Sequence, residues 1–294
     1  MHVTPSHHPL KARALVSTVI AAVLAASLGH AAPQPGDADF PKPSASARHD
    51  VLIAKVKSGT YDLALIGDSI THTLDPSFGG NYAPLAAVWN KYLLPHNAIN
   101  LGHNGYRTEE ILWCLQNGEL DFTTSPKLFQ ILIGTNNADD RSFPTVHTAK
   151  QILAGTKAIA ELIRLRHPTS KILILRIFPR GGDADQPTAG WSFHGSPRCI
   201  DTCQQAGELT RGLADGKHVF WLDLSRVFLN ADDSINTARL WDLLHPGGSN
   251  LANPGQTSGG EAWIRAIEPT LARLMGDKAI VDGPPVKNPN PASP

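Results

Sequence analysis

Five short apolar segments recur along the chain, each separated from the next by a longer amphipathic stretch. The five segments are residues 62–67, 97–101, 128–133, 171–177 and 218–223. Each is a largely continuous apolar run rather than an alternation of apolar and polar residues, which predicts strands that are covered on both faces. Between them, apolar residues repeat at helical spacing, and we predict helices within residues 107–120, 145–166, 201–216 and 259–275.

This alternation of strands and helices predicts an α/β fold. Parallel strands need long crossover connections, and a helix between successive strands supplies them with right-handed geometry. A single domain over residues 47–278 accounts for all of the predicted elements. In sheets of this kind ligands bind beyond the carboxyl ends of the strands. Polar residues that directly follow a strand are therefore the candidate site residues.

Composition excludes some classes of partner. The chain has 294 residues, of which 26 are basic, 26 are acidic and 18% are charged. A chain of this length with so few charges predicts a sizeable buried core rather than global disorder. The formal net charge of zero argues against nucleic acid or an anionic membrane surface as the main partner, because binding phosphates needs an excess of basic side chains.

The two ends of the chain differ from its middle. Lys11 and Arg13 precede an apolar stretch, and small residues follow it, which predicts a secretory signal peptide over residues 1–31. The apolar stretch is shorter than the about 20 residues that span a bilayer. We therefore expect cleavage rather than a membrane anchor, and an exported, periplasmic or extracellular protein without stable membrane insertion. Residues 32–46 predict a linker, and residues 279–294 predict a disordered Pro-rich tail.

The chain has three cysteines. Cys199 and Cys203 are four residues apart, and an oxidising compartment would allow a small-loop disulfide between them. Cys114 lies among apolar helical positions, which is typical of a buried small hydrophobic residue. Neither the cysteines nor the histidines show the ligand spacing of a metal site, so we expect none.

Ser69 lies directly after the first predicted strand, in the stretch LALIGDSITH. A serine hydroxyl is a poor nucleophile at neutral pH and needs a base within hydrogen-bond reach, together with a group that orients the base. Asp242 and His245, in LWDLLHPGG, are three residues apart, and on one helical turn their side chains can lie on the same side. We predict that these three residues form a nucleophile, base and orienting carboxylate. For Ser69 alone, the alternative role is a helix N-cap.

Attack by such a serine on a carbonyl carbon creates an oxyanion, which needs hydrogen-bond donors. Gly105 follows the second predicted strand and offers a backbone N–H at close approach, because glycine has no side chain. Asn136 follows the third predicted strand and offers its side-chain amide. With the backbone N–H of Ser69, these groups form a candidate oxyanion hole built from three strand ends.

These segments, in this order, resemble the four sequence blocks of the SGNH (GDSL-type) hydrolases, which centre on Ser, Gly, Asn and His. The matching stretches are IGDSIT, NLGHNGYRTEEILWCLQNGEL, IGTNN and DLLH, and the resemblance covers residues 61–275. The second and third stretches, with FPRG after the fourth strand, are similar to the branch that contains platelet-activating-factor acetylhydrolase subunits and secreted bacterial acetylesterases.

The resemblance implies a three-layer, flavodoxin-like α/β sandwich with a five-stranded parallel sheet in the order 2-1-3-4-5. It implies hydrolysis of short acyl esters, mostly acetyl, by a Ser-His-Asp acyl-enzyme mechanism without a metal or organic cofactor. We expect a small-molecule or polysaccharide ester as the substrate, and O-acetylated carbohydrate in particular. The alternatives are a lipid or general short-chain ester hydrolase, an acyltransferase, or a non-catalytic carbohydrate-binding module on the same fold.

Candidate substrate contacts lie close to these blocks. His103 and Tyr106 flank the oxyanion glycine and are candidates for touching the substrate, with packing of the loop as the alternative. Trp191 and Phe193 lie in a Gly- and Pro-rich segment, residues 181–199, that borders the expected site. Their rings could stack on a sugar, and packing of this segment is again the alternative.

Overall fold

The fold is built on one sheet of five strands, as the sequence predicts. In the computed structural model, which describes residues 32–247 and 258–280, the strands are β1 (Leu63–Gly67), β2 (Ala98–Gly102), β3 (Leu128–Leu132), β4 (Lys171–Leu175) and β5 (Val219–Leu222). Every neighbouring pair is parallel, and the order across the sheet is β2-β1-β3-β4-β5. The expected flavodoxin-like α/β sandwich is confirmed.

Both faces of the sheet are covered. Successive side chains of a strand point to opposite faces, and on β1 the residues Leu63 and Leu65 pack in one buried cluster together with Trp263. Ala64 and Ile66 of the same strand pack in the second cluster. Burial on both faces is the physical reason that each strand is largely apolar.

Eight α-helices flank the sheet in the part of the chain that the structure describes. They are α1 (Ala47–Ser58), α2 (Ser69–His72), α3 (Leu85–Val88), α4 (Thr108–Cys114), α5 (Thr135–Ala138), α6 (Ala149–Arg166), α7 (Pro197–Leu209) and α8 (Gly259–Met275). Single π-helical turns extend α3 over Trp89–Leu93 and α4 over Leu115–Glu119, and short 3₁₀ turns lie at Gly80–Tyr82, Leu94–His96, Thr210–Leu213 and Ser225–Val227. Helix α8 packs in the first cluster, whereas α1, α4 and α6 pack in the second, which gives three layers.

The longer helices begin where the sequence supplies a capping side chain. Ser46 accepts a hydrogen bond from the N–H of His49 at the start of α1, and Thr148 forms a capping box with Gln151 at the start of α6. Helix α1 is absent from the sequence predictions. Its buried face is narrow, with few apolar residues, and leaves little helical periodicity to detect.

The expected disulfide is wrong for the described structure. Helix α7 begins at Pro197, earlier than predicted, so Cys199 and Cys203 both lie within it. Side chains four residues apart on a helix have Cβ atoms about 5–6 Å apart, whereas a disulfide needs about 3.5–4.5 Å. Both residues are buried free thiols, and so is Cys114.

Residues 32–46 lie against the domain instead of standing apart from it as a linker would. Ala38 is fully buried, and its carbonyl accepts a hydrogen bond from Thr108 Oγ1 at 2.8 Å. The N–H of Lys42 donates to the carbonyl of Glu109 at 2.9 Å. The predicted signal peptide and residues 281–294 of the predicted tail lie outside the described residues. Within residues 32–247 and 258–280, no helix is both long and apolar enough to cross a membrane.

We expect Gly102→Ala to lower the thermal unfolding midpoint. A Cβ on Gly102, the last residue of β2, would lie 2.5 Å from the backbone nitrogen of His72 and 2.9 Å from the carbonyl carbon of Thr71. Backbone atoms cannot move aside without displacing α2, so the substitution should cost about 2 kcal/mol, or roughly 4–8 °C for a domain of this size. Gly212→Ala is the matched control, because a Cβ there would contact nothing within 4 Å. Equal melting temperatures for the two variants would contradict this account.

Candidate active site

Ser69, His245 and Asp242 meet at the carboxyl edge of the sheet. Ser69 is the first residue of α2, directly beyond β1. Its Oγ lies 2.9 Å from Nε2 of His245, and Nδ1 of His245 lies 2.8 Å from Oδ2 of Asp242. All three residues are buried. This is the hydrogen-bonding order that lets an imidazole take a proton from a serine while a carboxylate stabilises the imidazolium.

The segment that carries Asp242 and His245 is a tight turn and not the helical turn that the sequence suggests. Leu243 adopts a left-handed conformation with φ of +71°. The Oδ1 atom of Asp242 accepts the N–H groups of Leu244 at 3.0 Å and of His245 at 2.6 Å. Burial alone would raise the pKa of Asp242, but the hydrogen bonds and charge of His245, with these two N–H groups, hold it below its usual range.

The capping role considered for Ser69 belongs to its neighbour Asp68. The Oδ1 atom of Asp68 accepts the N–H of Ile70 at 2.9 Å and caps α2. Burial raises the pKa of Asp68 to about 6, against the lowering effect of that N–H and of His245. The Ser69 hydroxyl therefore does not cap the helix and bonds with His245 instead.

Gly105 lies in a turn after β2 that is closed by a hydrogen bond from the N–H of Tyr106 to the carbonyl of His103 (3.3 Å). Its φ of +76° is a conformation that glycine adopts without strain. A Cβ at this position would have no neighbour within 4 Å, so the turn borders open space. The N–H of His103 donates to the carbonyl of Gly67 at 2.9 Å and ties the turn to the end of β1.

Asn136 lies on α5, directly after β3. Its Nδ2 donates to the carbonyl of Tyr106, the residue after Gly105, at 2.9 Å. An amide nitrogen carries two hydrogens, so this bond uses one of them and fixes the direction of the other. The loops that follow β1, β2 and β3 are thus linked to one another by hydrogen bonds.

The side chains of His103 and Tyr106 are used inside the loop. His103 is buried, its Nε2 lies 2.8 Å from Oε1 of Glu119, and its ring stacks on Tyr106 with a centroid distance of 4.7 Å. The hydroxyl of Tyr106 donates to the carbonyl of Ser44 at 3.0 Å. These contacts favour the loop-packing alternative over substrate contact.

Glu119 anchors this loop, although no local sequence pattern marks it as a site residue. Its buried Oε1 also lies 2.7 Å from Nδ1 of His49. A carboxylate only accepts hydrogen bonds, so both imidazoles donate to it. Burial would raise the pKa of Glu119, but the hydrogen bonds from His103 and His49 outweigh burial and hold that pKa below its usual range.

One group among the described residues offers three potential metal ligands. The ligand atoms of His49, Cys114 and Glu119 lie within 4.8 Å of one another. However, Glu119 already accepts hydrogen bonds from two imidazoles, and burial raises the pKa of the Cys114 thiol, which disfavours the thiolate that a metal would need. The group therefore fits a hydrogen-bonded cluster better than a cation site.

Phe193 lies beside His245, and Trp191 lies beside Phe193. The ring of Phe193 is edge-on to His245 at a centroid distance of 5.3 Å, and Trp191 contacts Phe193 at 5.4 Å and Trp241 at 5.9 Å. The N–H of Phe193 donates to the carbonyl of Asp242 at 2.8 Å and fixes the segment next to the site. Trp191 is 41% exposed and Phe193 42%, so both rings keep free surface here.

Arg180 also holds this segment, and it is absent from the residues predicted from the sequence. Its Nη2 lies 2.8 Å from Oδ2 of Asp139, and its Nε donates to the carbonyl of Phe193 at 2.7 Å. Both members of the ion pair are buried. The one signal for Arg180 is its place in FPRG, directly after the fourth predicted strand.

The chain is similar to known acyl-ester hydrolases. The sequence profile of the GDSL-like lipase/acylhydrolase family matches residues 65–249. The chain is 28% identical over 244 residues to platelet-activating factor acetylhydrolase IB subunit alpha1 of Bos taurus, across 83% of this chain and 89% of that protein. Among solved structures it resembles a GDSL-like lipase from Bacteroides thetaiotaomicron, with 12% identity, 77% of this chain and 96% of that one covered, and a TM-score of 0.57.

A second solved structure is a variant of an acetyl-xylooligosaccharide esterase from Geobacillus stearothermophilus. It is 18% identical, the match covers 78% of this chain and 100% of that one, and the TM-score is 0.50. At these identities, both structural likenesses show a shared fold.

We expect the stability contributed by Glu119 to depend on pH. Because the pKa of Glu119 is lowered on folding, its contribution is fully present above the unfolded value near 4.5 and is lost as the pH falls through the folded value. Glu119→Gln should therefore cost about 2 kcal/mol of unfolding free energy at pH 7, and the difference from the unmutated protein should shrink below pH 4.5. Urea unfolding between pH 3 and 7 measures this difference.

Glu161→Gln is the control, because Glu161 forms a partly exposed ion pair with Lys157. It should stay within about 0.5 kcal/mol of the unmutated protein across the series. If Glu119→Gln lowers the unfolding free energy by the same amount at pH 3 and pH 7, the charge of Glu119 is not what stabilises the loop.

Proposed function

We propose that this chain, which belongs to the GDSL-like lipase/acylhydrolase family and is a carboxylic-ester hydrolase, cleaves its substrates through an acyl-enzyme on Ser69. The observation that carries the proposal is the unbroken hydrogen-bond series from Ser69 Oγ to His245 and on to Asp242, at 2.9 and 2.8 Å. A hydroxyl in this environment can lose its proton to the imidazole as it attacks a carbonyl carbon.

The reaction proceeds in two halves. Ser69 Oγ bonds to the ester carbonyl carbon while His245 Nε2 takes the hydroxyl proton, and the N–H groups of Ser69, Gly105 and the Asn136 amide stabilise the oxyanion. The carbon–oxygen bond to the alcohol then breaks, and His245 returns the proton to the departing alcohol oxygen. Water attacks the acyl-enzyme next, gives one proton to His245, and the carboxylic acid leaves as Ser69 regains its hydrogen.

The substrate is a short acyl ester, with acetyl favoured, on a carbohydrate. Two relatives described above support the acyl group, since one is named an acetylhydrolase and the other an acetyl-xylooligosaccharide esterase. The exposed ring of Trp191 supports the carbohydrate, because it lies next to Phe193, which contacts His245, and a flat aromatic face binds the apolar face of a sugar ring.

The same proposal includes export. Lys11, Arg13 and the apolar stretch of residues 14–29 support cleavage of residues 1–31 during secretion. An exported esterase would meet polysaccharide esters outside the cytoplasm, which is consistent with the proposed substrate.

We expect Ser69→Ala to reduce turnover of p-nitrophenyl acetate by orders of magnitude, because removal of the nucleophile leaves only the residual effect of binding and the oxyanion donors. Ser58→Ala is the control, since Ser58 is an exposed residue at the end of α1. Phenylmethanesulfonyl fluoride should label one peptide, the one that contains Ser69. Undiminished turnover in Ser69→Ala would mean that the nucleophile is a different residue.

We expect Trp191→Ala to raise the KM for acetylated xylo-oligosaccharides about tenfold, the effect of losing roughly one aromatic stacking contact. Turnover of p-nitrophenyl acetate, which has no sugar, should stay within about twofold of the unmutated rate. Leu165→Ala removes an exposed apolar side chain on α6 and should change neither value. A Trp191→Ala variant that loses both activities equally would favour a packing role for this ring.

A further inference from the structure

The carboxylate of Asp242 has a hydrogen-bond donor from a distant part of the chain. Its Oδ1 atom accepts two backbone N–H groups of its own turn, and Oδ2 accepts Nδ1 of His245. The hydroxyl of Tyr82 donates to the same Oδ2 atom at 3.1 Å, across 160 residues of sequence. An ionised carboxylate has about four lone-pair sites, so Tyr82 completes the set.

The direction of this bond follows from the charges. Asp242 is fully buried and its pKa is held below the usual range, so it is ionised and accepts. Burial and the charge of Asp242 both raise the pKa of the Tyr82 phenol, which keeps the hydroxyl protonated. Tyr82 is therefore a neutral donor to a buried negative charge.

The ring of Tyr82 is held in place by its neighbours. It lies edge-on to Phe78 at a centroid distance of 5.4 Å and to Trp241 at 5.6 Å. It is also edge-on to the imidazole of His245 at 5.8 Å. Edge-on contacts of this kind restrict the ring, so the hydroxyl is presented to Asp242 in a defined direction.

We propose that Tyr82 is a positioning residue for the ester-cleaving site, acting on His245 through Asp242. By donating to Oδ2 it draws negative charge away from the oxygen that faces the imidazole. The carboxylate then binds a protonated His245 less strongly than it would without this donor. This inference rests on the proposed function, because it gives Tyr82 a part in the series formed by Ser69, His245 and Asp242.

Other ionisable groups near His245 make contacts elsewhere. Asp68, whose carboxylate interacts electrostatically with His245, is bonded to the N–H of Ile70. Arg180 acts on Asp68 from further away and is paired with Asp139. The ring of His72 contacts Phe78 edge-on, at a centroid distance of 4.7 Å. None of them bonds to the Tyr82 hydroxyl within residues 32–247 and 258–280, so removing that hydroxyl isolates its effect on Asp242.

The test is the pH dependence of kcat/KM for Tyr82→Phe with p-nitrophenyl acetate. The variant keeps the ring and loses the donor, so Asp242 should hold the protonated imidazole more strongly. We expect the pH of half-maximal activity on the acid side to rise by about half a unit to one unit. Activity at the high-pH plateau should stay within about threefold and KM should not change. The activity of Tyr82→Phe relative to the unmutated protein should therefore decrease as the pH falls.

Tyr61→Phe is the matched control, because it removes a phenol hydroxyl that donates to the carbonyl of Lys55 and not to Asp242. It should leave the acid side of the profile where it is. An equal shift in Tyr61→Phe and Tyr82→Phe would overturn the inference, and so would a Tyr82→Phe profile that superimposes on the unmutated one. Ser69→Ala separates the two proposals. Retained activity in that variant would refute the proposed nucleophile. Lost activity in that variant, together with an unshifted Tyr82→Phe profile, would refute only the role of Tyr82.

Replacing Tyr82 by 3,5-difluorotyrosine gives a second measurement that does not depend on how well Tyr82→Phe folds. The fluorinated phenol keeps the ring and the hydroxyl and is a stronger donor. It should move the acid side of the profile to lower pH, opposite to Tyr82→Phe. No movement, or movement in the same direction, would overturn the proposed role.

Discussion

All five strands run in the same direction, and the candidate site depends on this more than on any single bond. Parallel strands end at one edge of a sheet, so the residues that follow β1, β2 and β3 meet there. Ser69, Gly105 and Asn136 come from these three strand ends. In an antiparallel sheet, alternate loops would lie at opposite edges and could not share a site. The parallel arrangement therefore has two consequences. Its strands are covered on both faces and are apolar, and they end at one edge, where the polar residues meet.

Several buried carboxylates connect the loops at this edge, each with its own partner. Asp242 binds His245, Glu119 binds His103, and Asp139 binds Arg180. A buried charge is costly unless it is paired and hydrogen-bonded, so each carboxylate favours one arrangement of the loop that carries its partner. Hydrogen bonds and ion pairs therefore fix the polar loops at this edge before a substrate binds. Electrostatic stabilisation of a transition state requires such a preorganised site.

Residues with local signals were predictable from the sequence. Ser69 directly follows a strand, Gly105 permits a positive φ, and Asp242 lies three residues from His245, so each can be recognised within a short window. His103 and Tyr106 show the limit of such reasoning, because their position beside the glycine says nothing about where their rings point. Both rings pack into the loop instead. The partners of Tyr82 and Arg180 lie 160 and 41 residues away, which no local pattern can reveal.

The sequence by itself determined the sheet, its long helices and the residue types available at each strand end. These depend on periodicity and on the conformational preferences of short segments, which act over a few residues. Only the tertiary structure decided that Cys199 and Cys203 share a helix as free thiols, that Asp242 and His245 form a tight turn, and that Tyr82 reaches Oδ2 of Asp242. The contact of Tyr82 with Asp242 depends on the relative placement of distant elements to within a fraction of an ångström. Packing of the whole domain sets that placement, and no short segment carries it.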